Sequence, residues 1–349
     1  LVYSLATLGH KPKKPLPAKE FKSIALLIAA YREDGVIMET VQACLKQNYP
    51  KDKYDVVVIS DHMQSETNSK LRALPIKLLQ VDYDIALVVD ADNIVAPSYL
   101  SEINDAFATP GVKVVQTHRV AKNLNTDMAY LDAISEEINN SIFRLGHVNL
   151  GMPAALIGSG MAFQYSLFYS AMMSNTSVGG FDRVLEMKLL LQDVFFYYLP
   201  DTYILDEKIQ STQKFYLQRR RWLSAQYISF LEFVSHLPYA IRTRKWGFCD
   251  KLYQQASFSR VLLLGFTFMI ALISSFIPFI ASIKWWGLLL GILLALAVAI
   301  PHKYWTGRLL KALFLLPYSF LLMFLNLFRI KEGMHKFMHT THGIEKVRS

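Results

Sequence analysis

Two regimes of apolar and polar patterning divide the chain. From residue 21 to about 220, apolar runs of strand length alternate with stretches of helical spacing. SIALLIAAY, YDVVVISD, IALVVDAD and VKVVQTHR each read as a buried strand, and GVIMETVQACLKQNYP reads as a helix that ends before Pro50. Buried strands separated by helices predict a mostly parallel, doubly wound sheet, whose ligands bind beyond the strand carboxyl ends. Three of these strands end in polar groups: Tyr31 to Glu33, Asp61, and Asp90 with Asp92. Acids meeting at one sheet edge predict a site, because a strand without one more often ends in turn residues such as Gly or Asn.

Residues 260 to 328 follow the second regime and are almost wholly apolar. The run from Val261 to Ile283 carries no charge and is long enough to cross a bilayer. WWGLLLGILLALAVAIP follows Lys284, and Leu309 to Phe328 is a third apolar stretch with Lys311 near its start and Pro317 inside it. Two to three spans are therefore expected over 260–328, with Trp285 and Trp286 at an interface. Before them, YISFLEFVSHLPYAIRTRKWGF mixes apolar, aromatic and basic residues and predicts amphipathic helices on the membrane surface over 223–259. At the other end, residues 1–20 (LVYSLATL, then GHKPKKP) read as the close of an apolar helix and a basic linker, which predicts a preceding span. Residues 329–349 form a basic tail.

Composition agrees with a membrane setting. The chain is 52% hydrophobic, its mean hydropathy is +0.24 and its formal net charge is +9. The cations gather in HKPKKP, RRRW, RTRKW and the tail, beside apolar spans, as on the cytoplasmic side of membrane proteins. They do not form the aromatic and basic stripe that tracks nucleic acid, so no nucleic-acid partner is expected. Cys44 and Cys249 lack metal-ligand spacing and read as reduced thiols of a cytosol-facing protein.

The chemistry follows from what the strand ends carry. No G-x-G-x-x-G follows the first strand and no G-x-x-x-x-G-K-[ST] occurs, which argues against a dinucleotide fold or a P-loop. The D-x-D of Asp90 and Asp92 is a pair of hard oxygen ligands suited to Mg²⁺ or Mn²⁺, which in turn neutralises a diphosphate. In VGGFDRVLEMKLLL, Asp182 and Glu186 are four apart and share a helix face, so either can serve as a general base or both are solvated acids. QRRRW, Gln218 to Trp222, reads on its own as a basic collar at the bilayer surface. In the tail, His335 and His339 stand i, i+4 and His342 follows, but without H-E-x-x-H the tail reads as a packing element.

Taken together, these pieces resemble the family 2 inverting glycosyltransferases, in particular the membrane-bound branch of cellulose, chitin and hyaluronan synthases. The resemblance covers about residues 22 to 340. AAYRED, with Ala30, Tyr31 and Glu33, is similar to the family's opening P-A-Y-N-E element. VVISDH is similar to its first acidic strand end, which implies that Asp61 contacts the uracil of a nucleotide sugar. DADN matches D-x-D, implying Asp90 near the nucleotide and Asp92 on the metal. IGSGMAF, with Gly158 and Gly160, is similar to the small-residue loop beside donor and acceptor. QRRRW matches Q-x-x-R-W, implying Gln218, Arg221 and Trp222 at the diphosphate and the acceptor entrance. The fold implied is an α/β GT-A-like sheet over 21–222. The activity implied is metal-assisted transfer from a UDP-sugar to a glycan or lipid acceptor with inversion, the catalytic domain facing the cytoplasm at the inner membrane.

Two departures bear on this. The family's base is the Asp of T-E-D, and alignment on LEM puts Val184 at that place, leaving Asp182 and Glu186 on either side. Asp182 is favoured because it follows the VGG turn. The chain also runs from IKLLQV straight into DYDIALVVD, without the helix and Lys that family members carry near the donor. Both departures feed a reading of another class, a membrane scaffold with a degenerate transferase domain; against a transporter, the spans lack the embedded charges that mark a substrate path. Sugar, acceptor, processivity and oligomeric state are left open by the sequence.

Overall fold

The apolar runs up to residue 206 become one seven-stranded sheet in the computed structural model, which describes residues 1–9, 12, 14–79, 82–174, 180–276 and 279–329. The strands are β1 (Ile24–Tyr31), β2 (Tyr54–Asp61), β3 (Ile85–Asp90), β4 (Ile94–Val95), β5 (Val114–Ala121), β6 (Met161–Gln164) and β7 (Phe196–Asp206). Their order is β2-β1-β3-β6-β5-β7-β4. β1 pairs parallel with β2 and β3, and β5 parallel with β7. β6 runs antiparallel between β3 and β5, and β4 antiparallel to β7. The four strands expected from the apolar runs are present. β4, β6 and β7 come in addition.

Both faces of the sheet are covered, which is why its central strands read as continuous apolar runs. Along β1, Ile24, Leu26 and Ile28 pack with Ile37, Val41 and Cys44 of the helix Ile37–Leu45 and with Tyr99, Leu100 and Ile103 of the helix Tyr99–Phe107. The alternate residues Ala25 and Leu27 face the other way and meet Tyr165 and Phe168 of the helix Tyr165–Met173. The period-two alternation of side chains thus builds two cores from one strand.

The chain forms two compact units. Of the described residues, the sheet unit holds those of 12–123 and 153–207, and the helical unit those of 1–9, 124–152 and 208–329. Residue 222, where the sequence pattern suggests a boundary, lies inside the continuous helix Thr212–Phe233.

Within the helical unit, the helix Asp127–Asn139 runs into a π-helical stretch, Asn140–Gly146. Its buried charges are paired: Arg144 with Glu136 at 3.0 Å, Lys303 with Glu137 at 2.9 Å, and Arg219 with Asp132. Leu223, Leu262 and Met323 form an apolar cluster with Phe266, Phe320 and Phe324. Two helical segments, Ser282–Ala299 and Gly307–Leu327, are long and apolar enough to cross a membrane. The apolar run Val261–Ile283 is not one helix. It is divided between Arg260–Ser274 and Phe279–Ala299, so Trp285 and Trp286 fall inside a helix instead of between two. At 1.5 Å per residue, the first of these is only about 22 Å long, short of a hydrocarbon core of about 30 Å.

Candidate active site at the carboxyl edge of the sheet

Parallel register aligns the strand ends. Tyr31 stands opposite Asp61 across β1 and β2, and Ala29 opposite Asp90 across β1 and β3. The three polar strand ends expected from sequence therefore share one edge. Ala30 and Glu33 are buried there, and Asp61 is exposed with its Oδ1 2.6 Å from His62 Nδ1. The backbone turns sharply after each strand: Arg32 and His62 both take left-handed conformations, φ 55° and 54°.

Beyond β3 the chain folds Asp92 and Asn93 inward, 4% and 0% exposed. Asn93 Nδ2 donates to Asp92 Oδ1 and to Asp206 Oδ1, each at 3.1 Å. Its own Oδ1 accepts from Ser159 Oγ. Carboxylate oxygens of Asp90, Asp92 and Asp206 consequently lie within 4.8 Å of one another. Arg119 Nη1 of β5 approaches Asp206 Oδ1 to 3.8 Å. Asp206 is the last residue of β7 and was not anticipated. It obeys the same rule as Asp61 and Asp90, an acid closing a strand, but its strand is interrupted by Pro200, Asp201 and Thr202 and does not read as an apolar run. Asn93, Ser159 and Arg119 were likewise missed as site residues.

The loop Ile157–Gly160 is tied to these strand ends. Asp90 N donates to Ser159 Oγ at 3.0 Å, Gly160 N to Val88 O at 2.9 Å, and Gln116 Nε2 to Ser159 O at 3.0 Å. Gly160 has φ +63°, and a Cβ built on it would sit 2.5 Å from Thr117 Oγ1. Thr117 Oγ1 in turn lies 2.7 Å from the hydroxyl of Tyr99, whose ionisation burial pushes up, so that it stays a neutral hydrogen-bonding group. Gly158 has φ +85°, and a Cβ there would meet the Asp182 carboxylate at 3.5 Å.

The two acids of the helix Phe181–Leu191 differ in environment. Glu186 is buried at 2% exposure and accepts the backbone amide of Leu156 at 2.9 Å. Asp182 lies in the first turn, after Gly180 in a left-handed conformation, and is partly exposed beside Gly158. Val184 is buried in the core.

Gln218, Arg221 and Trp222 belong to the helical unit, on the helix Thr212–Phe233, whose first turn is capped by Ser211 Oγ accepting from Lys214 N. Arg219 holds this motif in place: its guanidinium lies 4.2 Å from the Trp222 ring centre and 4.8 Å from that of Phe215 while it pairs with Asp132. Gln218 Oε1 is buried without a hydrogen-bond partner among the described residues. His335, His339 and His342 lie outside the described residues.

A family model described as glycosyl transferase family group 2 matches residues 85–327, more than half of the chain. The chain belongs to this family. A curated relative, the beta-monoglucosyldiacylglycerol synthase of Synechocystis sp., is 22% identical over 244 residues, 61% of this chain and 50% of that protein. The match thus spans half the length of that relative. Among solved structures, the mannosyltransferase PcManGT from Pyrobaculum calidifontis, in complex with GDP-Man and Mn²⁺, aligns with a TM-score of 0.52 at 17% identity, covering 85% of this chain and 92% of that one. TarS of S. aureus in complex with UDP-GlcNAc aligns at a TM-score of 0.47, with 15% identity over 89% and 91% of the two chains. The fold of this family member is accordingly of the GT-A type, a parallel-rich α/β sheet, in a chain with two apolar helical segments near its C-terminal end.

Proposed function

We propose that this family member is a membrane-bound inverting glycosyltransferase that moves a sugar from a UDP-sugar to a hydroxyl of a glycan or lipid-linked acceptor. The observation that supports it is the cluster of Asp90, Asp92 and Asp206 at the carboxyl edge, with Asp182 beside the neighbouring loop. The donor set fits Mg²⁺ or Mn²⁺: three hard carboxylates, Asp92 and Asp206 buried, with the guanidinium of Arg119 3.8 Å from Asp206. A bound divalent ion supplies charge neutralisation for the diphosphate of the departing nucleotide. Asn93 fixes Asp92 and Asp206 by donating to both. Asp61, with Tyr31, takes the nucleobase at the ends of β1 and β2, and Ala30 and Glu33 shape that end of the site. Gln218, Arg221 and Trp222 are assigned to diphosphate and acceptor by their motif alone.

The acceptor hydroxyl oxygen attacks the anomeric carbon in line, the bond from that carbon to the diphosphate oxygen breaks, and the hydroxyl proton passes to Asp182. Single displacement inverts the configuration. Glu186 is unsuited to this task, because its carboxylate is buried and bound to the Leu156 amide. The transferase domain faces the cytoplasm in this reading, where nucleotide sugars are made.

The name of the Synechocystis relative favours a second reading of the acceptor, transfer of a single sugar to a diacylglycerol lipid. Both readings are tested with protein purified in detergent, a panel of UDP-sugars, Mn²⁺ or Mg²⁺, and diacylglycerol or oligosaccharide acceptors. UDP release from one donor, abolished in Asp92→Asn, is the expected outcome, and the product identifies the acceptor. No release from any donor with either acceptor class refutes the proposal.

A further inference from the structure

The helices Leu237–Arg242 and Trp246–Ala256 form an elbow within the helical unit, joined at Thr243–Lys245, where Arg244 takes a left-handed φ of 58°. Its inner side is well anchored. Phe248 and Leu252 are buried and Phe248 lies edge-on to Phe233, while Asp250, on the helix stripe of Trp246 and Tyr253, is paired with His147 Nε2 at 3.1 Å and Gln254 Nε2 at 2.7 Å. The outer side is the opposite: Tyr239, Ile241, Trp246 and Tyr253 are exposed, Tyr253 at 72%, and Phe258 just beyond is exposed as well. Arg242, Arg244 and Lys245 occupy the bend, and no acid occurs from Leu237 to Cys249.

The chain continues from the elbow into the apolar helix Arg260–Ser274, and the two helix axes meet at 60°. The two helices are therefore not one straight span, and Trp246–Ala256 is strongly inclined to the apolar helix that follows it. The elbow does not itself extend the apolar helix into the hydrocarbon, because Asp250, Lys251, Gln254 and Gln255 interrupt it with polar groups that hydrocarbon does not solvate. Exposed Trp and Tyr beside Arg and Lys are the composition of a surface at headgroup level, rings among the glycerol groups and cations at the phosphates.

We infer that the outer side of this elbow docks on anionic phospholipid, with Arg242, Arg244 and Lys245 at the lipid phosphates and Tyr239, Trp246 and Tyr253 in the interface. The acid-free run of cations selects a negatively charged leaflet over a neutral one, and its expected weight is about fivefold per basic residue, on the order of a hundredfold for the three. The inference rests on membrane association and is independent of donor and acceptor.

The test uses the full chain in nanodiscs of phosphatidylcholine, alone or mixed with phosphatidylglycerol. Tyr253→Cys carries a spin label in a Cys249→Ser background; Cys44 is fully buried and burial pushes its thiol up to about 12, so it does not compete for the label. Collision of the label with a water-soluble nickel reagent is compared with collision with lipid-soluble oxygen. Phosphatidylglycerol is expected to shield the label from nickel, and the combined Arg242→Gln, Arg244→Gln and Lys245→Gln variant to lose that shielding. A label equally open to nickel in both lipids overturns the docking. A label equally shielded in both overturns the selection for anionic lipid. Because the lipid comparison is made on the chain with its basic residues intact, it decides the matter even where the triple variant folds poorly.

Discussion

Gly160→Ala places a methyl group where the fold leaves no room. The backbone there is left-handed at φ +63°, and the added Cβ would lie 2.5 Å from Thr117 Oγ1, 3.0 Å from Ile204 Cγ2 and 3.2 Å from the Tyr99 hydroxyl. The left-handed conformation alone costs an L-residue about 1–2 kcal/mol. Overpacking a rigid site adds about 1–3 kcal/mol, since Thr117 is held by the Gly160 carbonyl at 3.0 Å and by Tyr99 at 2.7 Å and cannot move without breaking one of them. A total of about 3 kcal/mol is expected in urea unfolding followed by circular dichroism. Because Gly160 is neighbour to Ser159, which accepts from Asp90 N, UDP binding by calorimetry should weaken in parallel. Gly158→Ala is the control: its φ is +85°, but its nearest neighbour is the Asp182 side chain at 3.5 Å, so its stability loss should stay near the conformational term of about 1–2 kcal/mol. A Gly160→Ala protein that loses under about 1 kcal/mol and binds UDP normally refutes the reasoning, since it shows that the loop relaxes around the methyl group.

Asp182→Asn should lower transfer by about 10²–10⁴-fold with unchanged stability, the weight of a general base, whereas Glu186→Ala should cost stability instead, by about 1–3 kcal/mol for the orphaned Leu156 amide; near-normal turnover in the first sinks its assignment. Asp206→Asn should weaken Mn²⁺ binding, read by electron paramagnetic resonance, by at least about tenfold, because even loss of an outer partner of a metal ligand costs that much; unchanged binding excludes Asp206 from the set. Burial pushes the Asp250 carboxyl up, but the hydrogen bond and charge of His147, aided by Gln254 and Lys251, outweigh it and hold the group below the ordinary carboxylate value. A carboxyl lowered on folding contributes stability above its unfolded value and loses it as pH falls through the lower folded one, so Asp250→Asn should flatten the acid limb of the stability profile; an unaltered limb counts against the pairing.

The apolar runs of β1, β2 and β3 were legible in the sequence because strands covered on both faces have few polar positions to hide them, and β5 showed through Val114 and Val115 ahead of its polar stretch. The acidic ends of β2 and β3 were legible for the same reason, as charges at the close of such runs. The tertiary structure decided what depends on distant pairing. β6 is four residues long and β7 is broken by Pro200, so neither has a local period, and both are strands only through the neighbours they bond. Asp206 reaches Asn93 across 113 positions of chain, a contact that no spacing announces. Between Asp182 and Glu186 the sequence offered only the VGG turn before Asp182 as a ground for preference, since four residues of helix put both on one face. Packing separates them: it buries Glu186 against the Leu156 amide and leaves Asp182 beside Gly158, and burial is a property of what the rest of the chain brings to a side chain.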